Sequence, residues 1–133
     1  MGNLDPKIKE KLQELGVSLV YIFGSSAENL DRSDSDVDIG VVFKKMPPEG
    51  AQTSRVYNRL YDVFTGLFPG KKVDIVFLER ANLELRFDAI SHGKLIFETS
   101  PEARFNFEEK NSILYADFRH YLNEFNRAIL DRL

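Results

Sequence analysis

Four short apolar runs stand out along the chain, and they predict four β-strands. Each run is rich in β-branched and aromatic residues, is bounded by glycine, proline or charged residues, and is too short for a buried helix. Polar and apolar residues alternate inside the second and third runs, which is typical of strands with one face in a core. The predicted strands are VSLVYIF (17–23), VDIGVVF (37–43), VDIVFLE (73–79) and KLIFE (94–98).

The stretches between and around these runs carry apolar residues at helical spacing. Asp5 and Ser100 are capping residues, each followed by the proline that is favoured in the first turn of a helix. Gly16 ends the first helical pattern and Gly93 is placed as the C-cap of the third. The predicted helices cover residues 6–15, 51–67, 83–90 and 101–133.

The order helix, strand, strand, helix, strand, helix, strand, helix predicts an α/β (α+β) fold with a small mixed sheet of about four strands flanked by helices. The first two strands lack a crossover helix, and the acidic connection between them, residues 24–36, is long for a hairpin. A last helix of ~30 residues would be ~45 Å long, more than a domain of this size needs. It predicts a surface for a partner or a second copy, unless the helix is bent or broken and packs wholly on its own domain.

Composition narrows the class of protein. A chain of 133 residues with 43% hydrophobic content fits one globular domain, and the absence of cysteine excludes disulfides, thiolate zinc sites and cysteine nucleophiles. We expect a soluble cytoplasmic protein, because no secretory pattern or run of ~20 apolar residues is present. The net charge of -3 argues against extended contact with nucleic acid phosphates.

The acidic residues of the second and third strands form the candidate site. Alternation places Asp36, Asp38 and Gly40 on one face of the second strand and its apolar residues on the other. Asp36 and Asp38 would have Cα atoms ~6.5 Å apart, close enough for both carboxylates to reach one cation. If the second and third strands are neighbours, Asp74 completes a cluster of three carboxylates, which needs a cation or a shared proton.

Hard oxygen ligands of this kind suit Mg²⁺, which fills its remaining positions from water and substrate phosphates. Gly24 and Ser25, at the end of the first strand, supply a close backbone approach and a hydroxyl donor for a phosphate, with a helix beginning at Ser26 aimed at it. A solvated acidic turn is the alternative interpretation; it accounts for Asp31 and Asp34 but poorly for the strand aspartates.

The stretch FGSSAENLDRSDSDVDIGVV resembles the G-S-x10-D-x-D signature of the DNA polymerase β-like nucleotidyltransferases, specifically the minimal nucleotidyltransferase (MNT) group. The later VDIVFL is similar to the strand that carries the third aspartate of that family. The similarity in the order of elements extends over residues 5–98.

This resemblance implies transfer of a nucleotidyl group from a nucleoside triphosphate. Asp36 and Asp38 would hold Mg²⁺ on the triphosphate, with two ions possible, and Asp74 would assist both metal binding and deprotonation of the acceptor. Gly24 and Ser25 would hold phosphate oxygens. The reaction would be in-line attack on the α-phosphorus with pyrophosphate leaving.

Stand-alone MNT proteins of this size resemble antitoxins paired with HEPN-type toxins, which implies transfer of AMP from ATP to a protein acceptor. Residues 1–100 would be the nucleotidyltransferase core and residues 101–133 a helical extension packed on the same domain or on a partner. Two alternatives remain open: transfer to a small hydroxylated molecule, with residues 101–133 forming a homodimer, or a catalytically weak nucleotide- or protein-binding module. The last is favoured by GSSAEN, which stands where MNT sequences often read GSRARG.

Overall fold

The computed structural model describes residues 4–24 and 36–133, and its elements follow the predicted order. The described elements are α1 (Pro6–Glu14), β1 (Val17–Phe23), β2 (Val37–Phe43), α2 (Ala51–Leu67), β3 (Val73–Phe77), a single 3₁₀ turn (Leu78–Arg80), α3 (Leu83–His92), β4 (Lys94–Glu98) and α4 (Pro101–Leu130). The α+β class with a four-stranded mixed sheet and a long C-terminal helix is confirmed.

The four strands form one sheet in the order β3-β2-β1-β4. The strand β1 pairs antiparallel with both β2 and β4, whereas β2 and β3 pair in parallel, with α2 as the crossover between them. The condition set for Asp74, that the second and third strands are neighbours, is therefore met.

The sheet has a hydrophobic core on each face, so β1 is buried along its whole length. One core packs the sheet against α1 and α2, and it takes the alternate residues Val37, Ile39, Val41 and Phe43 of β2 as the pattern predicts. The other core lies beneath the 3₁₀ turn, α3 and the first turns of α4. Burying both faces is the main source of stability for a sheet of four short strands.

Side-chain caps fix the starts of three helices. The backbone N–H of Lys7 donates to Asp5 Oδ1 at 2.8 Å, that of Ala103 to Ser100 Oγ at 3.0 Å, and that of Leu85 to Asn82 Oδ1 at 2.8 Å. The predicted caps at Asp5 and Ser100 are confirmed, and Asn82 adds a third.

The third strand is shorter than predicted, because the chain leaves the sheet after Phe77. Leu78 turns onto the sheet, where a Cβ atom at Gly40 would lie 2.9 Å from Leu78 Cδ1 and 3.0 Å from its Cγ. The Glu79 side chain then replaces a backbone hydrogen-bond acceptor beside β2, because its Oε2 accepts the N–H of Phe43 at 2.6 Å. Burial raises the pKa of the Glu79 carboxyl, an effect partly offset by this hydrogen bond.

Gly93 follows α3 as predicted but with φ near -79°, so the left-handed cap expected of a C-terminal glycine is absent there. A Cβ atom at this position would clash with the carbonyl oxygens of Ala89 and Ile22. Glycine is needed at residue 93 for close packing of α3 on β1 rather than for its backbone freedom.

The helix α4 is one continuous helix of 30 residues. Its first half packs on α3, β1 and β4, whereas residues 119–133 are all exposed. The alternative of a bent or broken helix packed wholly on its own domain is therefore wrong. Within residues 4–24 and 36–133, no helix is both long and apolar enough to cross a membrane.

Substitution of Gly40 tests the packing of Leu78 against β2 in the second core. We expect Gly40→Ala to lower the free energy of unfolding by about 1–2 kcal/mol, because the buried Leu78 must shift to admit the added methyl group. Gly66→Ala, in α2 with no atom within 4 Å of its Cβ position, should instead raise it by about 0.5–1 kcal/mol. Chemical denaturation measures both; equal effects of the two substitutions would contradict this packing.

Candidate active site

Four of the five predicted site residues meet at one end of the sheet, where β1 ends and β2 and β3 begin. Phe23 pairs with Asp38 across the antiparallel β1–β2 ladder, and Asp38 pairs with Asp74 across the parallel β2–β3 ladder. Neighbouring strands are ~4.8 Å apart. Three adjacent strands thus place Gly24, Asp38 and Asp74 side by side, with Asp36 at the entrance to β2.

Gly24 is held against the Asp38 carboxylate. Its φ is +74°, a conformation that favours glycine, and a Cβ atom there would lie 2.5 Å from Asp38 Oδ2. Any other residue would be strained and would also displace the carboxylate. The exposed Gly24 backbone and the Asp38 side chain therefore form one surface that a ligand can approach closely.

The three carboxylates differ in exposure. Asp36 and Asp74 are exposed, whereas Asp38 is partly buried between the neighbouring strands. Burial raises the pKa of the Asp38 carboxyl, and the negative charges of Asp74 and Asp36 raise it further. Both neighbouring aspartates therefore act electrostatically on the Asp38 carboxyl.

Leu78 closes the floor of this site. The space above Gly40, which alternation places on the same face as the aspartates, is filled by the Leu78 side chain and is closed to a ligand. Within residues 4–24 and 36–133, the accessible part of the site thus lies at the strand ends, at Gly24, Asp36, Asp38 and Asp74.

The remaining sequence predictions for this region lie outside the described residues. They concern Ser25 as a phosphate donor, a helix beginning at Ser26, and the solvated acids Asp31 and Asp34. Of the five predicted site residues, the structure brings four to one end of the sheet, and the catalytic, metal-binding and phosphate-binding roles of all five stay predictions.

The donor chemistry of the site fits a hard divalent cation. Among the residues that the structure describes, no three carboxylate or imidazole side chains converge closely enough to hold a metal ion by themselves. Mg²⁺ needs only one or two protein carboxylates when substrate phosphates and water complete its shell. The adjacent Asp38 and Asp74, together with the glycine that leaves room beside Asp38, are compatible with that mode of binding.

One hydrogen bond near the site was missed from the sequence. The Tyr21 hydroxyl, in the middle of β1, donates to Glu108 Oε2 of α4 at 3.0 Å. Burial raises the pKa of the Tyr21 phenol, and the bond to Glu108 adds to that effect, so Tyr21 is a neutral donor at physiological pH. The only signal in the sequence is a hydroxyl inside an otherwise apolar run, which gives no indication of its partner.

The raised pKa of Asp38 generates a prediction about stability in metal-free buffer. Ionisation of Asp38 is less favourable in the folded than in the unfolded state, so its contribution to stability is present below the unfolded pKa and is lost as pH rises through the folded pKa. Asp38→Asn should therefore raise the melting temperature relative to wild type at pH 7.5, and the difference should shrink towards pH 4.5.

Thermal melts at the two pH values measure this effect, with Asp62→Asn, on the exposed side of α2, as the control. A gain for Asp38→Asn that is independent of pH, or equal to that of the control, would contradict the electrostatic origin.

Comparison with known proteins agrees with the fold and the motif. The model of the family "Polymerase beta, Nucleotidyltransferase" matches residues 6–102. Among curated proteins, none matches the chain significantly.

Several solved structures are similar to the chain over nearly its whole length. One is described as a toxin-antitoxin with AMP-PNP, at 24% identity and TM-score 0.63, covering 94% of each chain. A mutant toxin-antitoxin MntA-HpeT has 23% identity and TM-score 0.62, covering 96% of this chain and 97% of that one. A tri-AMPylated Shewanella oneidensis HEPN toxin in complex with MNT antitoxin gives 22% identity and TM-score 0.61, covering 94% and 91%.

These structures support the fold, including the helix beyond the family match. The motif, the paired aspartates and the match over most of the chain lead to one conclusion. The chain belongs to the polymerase beta nucleotidyltransferase family.

Proposed function

We propose that this protein is a Mg²⁺-dependent nucleotidyltransferase that transfers AMP from ATP to a protein, and that it acts in the cytoplasm as the antitoxin of a HEPN-type toxin. The observation that carries the proposal is the lateral pairing of Asp38 with Asp74 beside Gly24. Residues 1–100 form the catalytic core in this proposal, and residues 101–133 form an extension that contacts the partner.

One or two of the carboxylates of Asp36, Asp38 and Asp74, together with phosphate oxygens and water, would hold each Mg²⁺ ion, which when bound offsets the negative charge of the triphosphate and of the transition state. Gly24 would let its backbone approach a phosphate oxygen without steric hindrance, and Ser25 would donate its hydroxyl to another. Burial raises the pKa of Asp38 and the charges of Asp74 and Asp36 raise it further, and a bound cation would relieve the repulsion among these acids.

Asp74 is suited to handle the acceptor. It is exposed and lies on β3, at the edge of the sheet, where a second molecule can approach. The acceptor hydroxyl attacks the α-phosphorus of ATP in line, its proton passes to the Asp74 carboxylate, and the bond from the α-phosphorus to the pyrophosphate oxygen breaks. The products are an AMP ester of the acceptor and pyrophosphate.

Two features support a protein rather than a small acceptor. Similar solved structures include a toxin-antitoxin with AMP-PNP and an MNT antitoxin with a tri-AMPylated HEPN toxin. In this chain, the exposed second half of α4 carries large apolar side chains, including Phe125 and Leu130. Exposed apolar clusters of this kind mark surfaces for protein partners.

A second candidate is a binding module that retains the fold without efficient turnover. The favouring observation is in the sequence, where Ser26 and Glu28 stand at positions that are often arginine in MNT proteins. Loss of positive charge beside a triphosphate weakens stabilisation of the transition state.

Labelled ATP tests the two candidates. The chain is incubated with α-labelled ATP, Mg²⁺ and the protein encoded by the neighbouring gene. We expect label on that protein, reduced by at least about 100-fold in Asp36→Asn/Asp38→Asn, because loss of the metal ligands removes several kcal/mol of transition-state stabilisation. Asp62→Asn/Asp88→Asn, which removes two acids outside the site, is the matched control and should transfer label normally.

Tight binding of the partner without label from the wild-type chain would exclude the transferase and leave the binding module. Absence of any Mg²⁺-dependent nucleotide binding would exclude the transferase and a nucleotide-binding module, and would leave a protein-binding module only if the partner is still bound.

The close approach at Gly24 is tested separately by Gly24→Ala. We expect the affinity for Mg-ATP to fall by at least about tenfold, because the methyl group would displace Asp38 Oδ2. Gly16→Ala is the matched control: its φ of +80° imposes a similar backbone strain, but no atom lies within 4 Å of its Cβ position. Calorimetric titration with a non-hydrolysable ATP analogue measures both, and equal losses would show that only strain matters.

A further inference from the structure

The free half of α4 carries a continuous apolar face. Its members recur every three or four residues, the spacing that places side chains on one side of a helix. Tyr121 is 71% exposed and Phe125 is 54% exposed. The α4 stripe, as we define it, consists of Phe118, Tyr121, Leu122, Phe125 and Ile129.

This stripe extends the face by which α4 packs on its own domain. The ring of Phe107 lies 6.4 Å from that of Tyr21, and Tyr115 stacks on Phe87 at 4.0 Å. The Phe118 ring follows at 6.5 Å from Tyr115. One side of the helix is therefore covered by the domain as far as Tyr115, and the same side is open beyond it.

The direction of α4 relative to the sheet follows from two contacts. Near the start of α4, Thr99 Oγ1 lies 3.4 Å from Ser18 Oγ, and two turns later Glu108 binds Tyr21. Both β1 and α4 therefore advance towards the end of the sheet at which Gly24 and the aspartates lie.

Elementary geometry gives the position of the stripe along that direction. Gly24 is three strand residues beyond Tyr21, or ~10 Å. The same advance takes ~7 residues of helix beyond Glu108, which is Tyr115. The exposed part of α4 thus begins about one helical turn beyond the level of the aspartates, and residue 130 lies ~22 Å past that level along the helix.

The stripe and the aspartates also share one face of the sheet. Phe107 packs in the core that contains Tyr21, Phe23 and Leu78, and Leu78 covers the same face of β2 as Asp38. A protein seated on the stripe would consequently stand next to the carboxylates rather than behind the sheet.

We propose that the α4 stripe is the docking surface for the protein acceptor, and that its offset from Asp74 determines which hydroxyl of that acceptor is modified. This inference rests on the proposed transferase function. The side chains of the stripe can pack as ridges into the grooves of a helix, and we assign a helical surface of the acceptor as its occupant because the stripe lies on the aspartate side of the sheet. A homodimer could bury the same apolar stripe, but homodimer formation does not require the stripe to lie near the aspartates.

Docking is tested with two triple variants that differ only in the face they alter. Leu122→Gln/Phe125→Gln/Ile129→Gln removes the stripe, and His120→Gln/Asn123→Gln/Arg127→Gln alters the opposite face over the same turns. With the protein encoded by the neighbouring gene as the probe, we expect the first to weaken binding on the order of 100-fold and the second to leave it within about threefold. Both should bind Mg-ATP like wild type, which shows that the domain is folded.

Positioning is tested by inserting alanines between Ala116 and Asp117. Two alanines rotate the stripe by ~200°, and seven return it to nearly its original orientation while moving it ~10 Å outward. We expect the two-residue insertion to abolish binding of the partner. The seven-residue insertion should bind it within about tenfold of wild type but transfer label at least tenfold more slowly, because the acceptor hydroxyl is displaced.

Failure of this inference differs from failure of the proposed function. If wild type transfers label and the stripe variant binds and transfers equally well, or if the seven-residue insertion transfers at the normal rate, the inference is wrong. If instead the stripe variant only converts a dimer of this chain to a monomer, with the partner still bound, the stripe is a homodimer surface. If wild type transfers no label, the proposed function fails, and the binding measurements still decide whether the partner docks on α4.

Discussion

The register of three neighbouring strands is the constraint on which the rest of the molecule depends. The alternation in β2 places its apolar residues in the core against α1 and α2, and Asp38 must then point to the other face. Antiparallel pairing with β1 brings Gly24 to Asp38, and parallel pairing with β3 brings Asp74. A shift of one residue in either ladder would turn the acid of that strand towards the core against α1 and α2, so the hydrophobic effect that forms the sheet also assembles the site.

The candidate site lowers the stability of the fold that positions it. Asp38 is partly buried among like charges, and its raised pKa means that ionisation at neutral pH costs stability. The two hydrophobic cores offset this cost, and β1, buried on both faces, connects the site to both of them. Such strain between stability and chemistry is common at active sites, where groups are arranged for a ligand and not for the empty protein.

The local sequence pattern predicted those strand bounds that depend only on neighbouring residues in the chain. The bounds of β1, β2 and β4 follow from runs of β-branched and aromatic residues between glycines, prolines and charges. The end of β3 was predicted wrongly, because it depends on Leu78 packing over Gly40, a contact between residues far apart in sequence. Asp36 and Asp38 could be paired from spacing alone, whereas the position of Asp74 required knowledge of which strands are neighbours. The direction of α4, set by Tyr21 and Glu108, has no counterpart in the sequence pattern.

The position of β1 between β2 and β4 also sets the order in which the sheet can form during synthesis. One of its edges pairs with β4, and the flanking contact between Ser18 and Thr99 joins positions 81 residues apart. During synthesis one edge of β1 therefore stays unpaired until β4 has left the ribosome. Pairing of β1 with β4 is a non-local step, and such steps slow folding. The exposed half of α4 emerges only after that strand, so a nascent chain completes its sheet before it can present the apolar helix to any other protein.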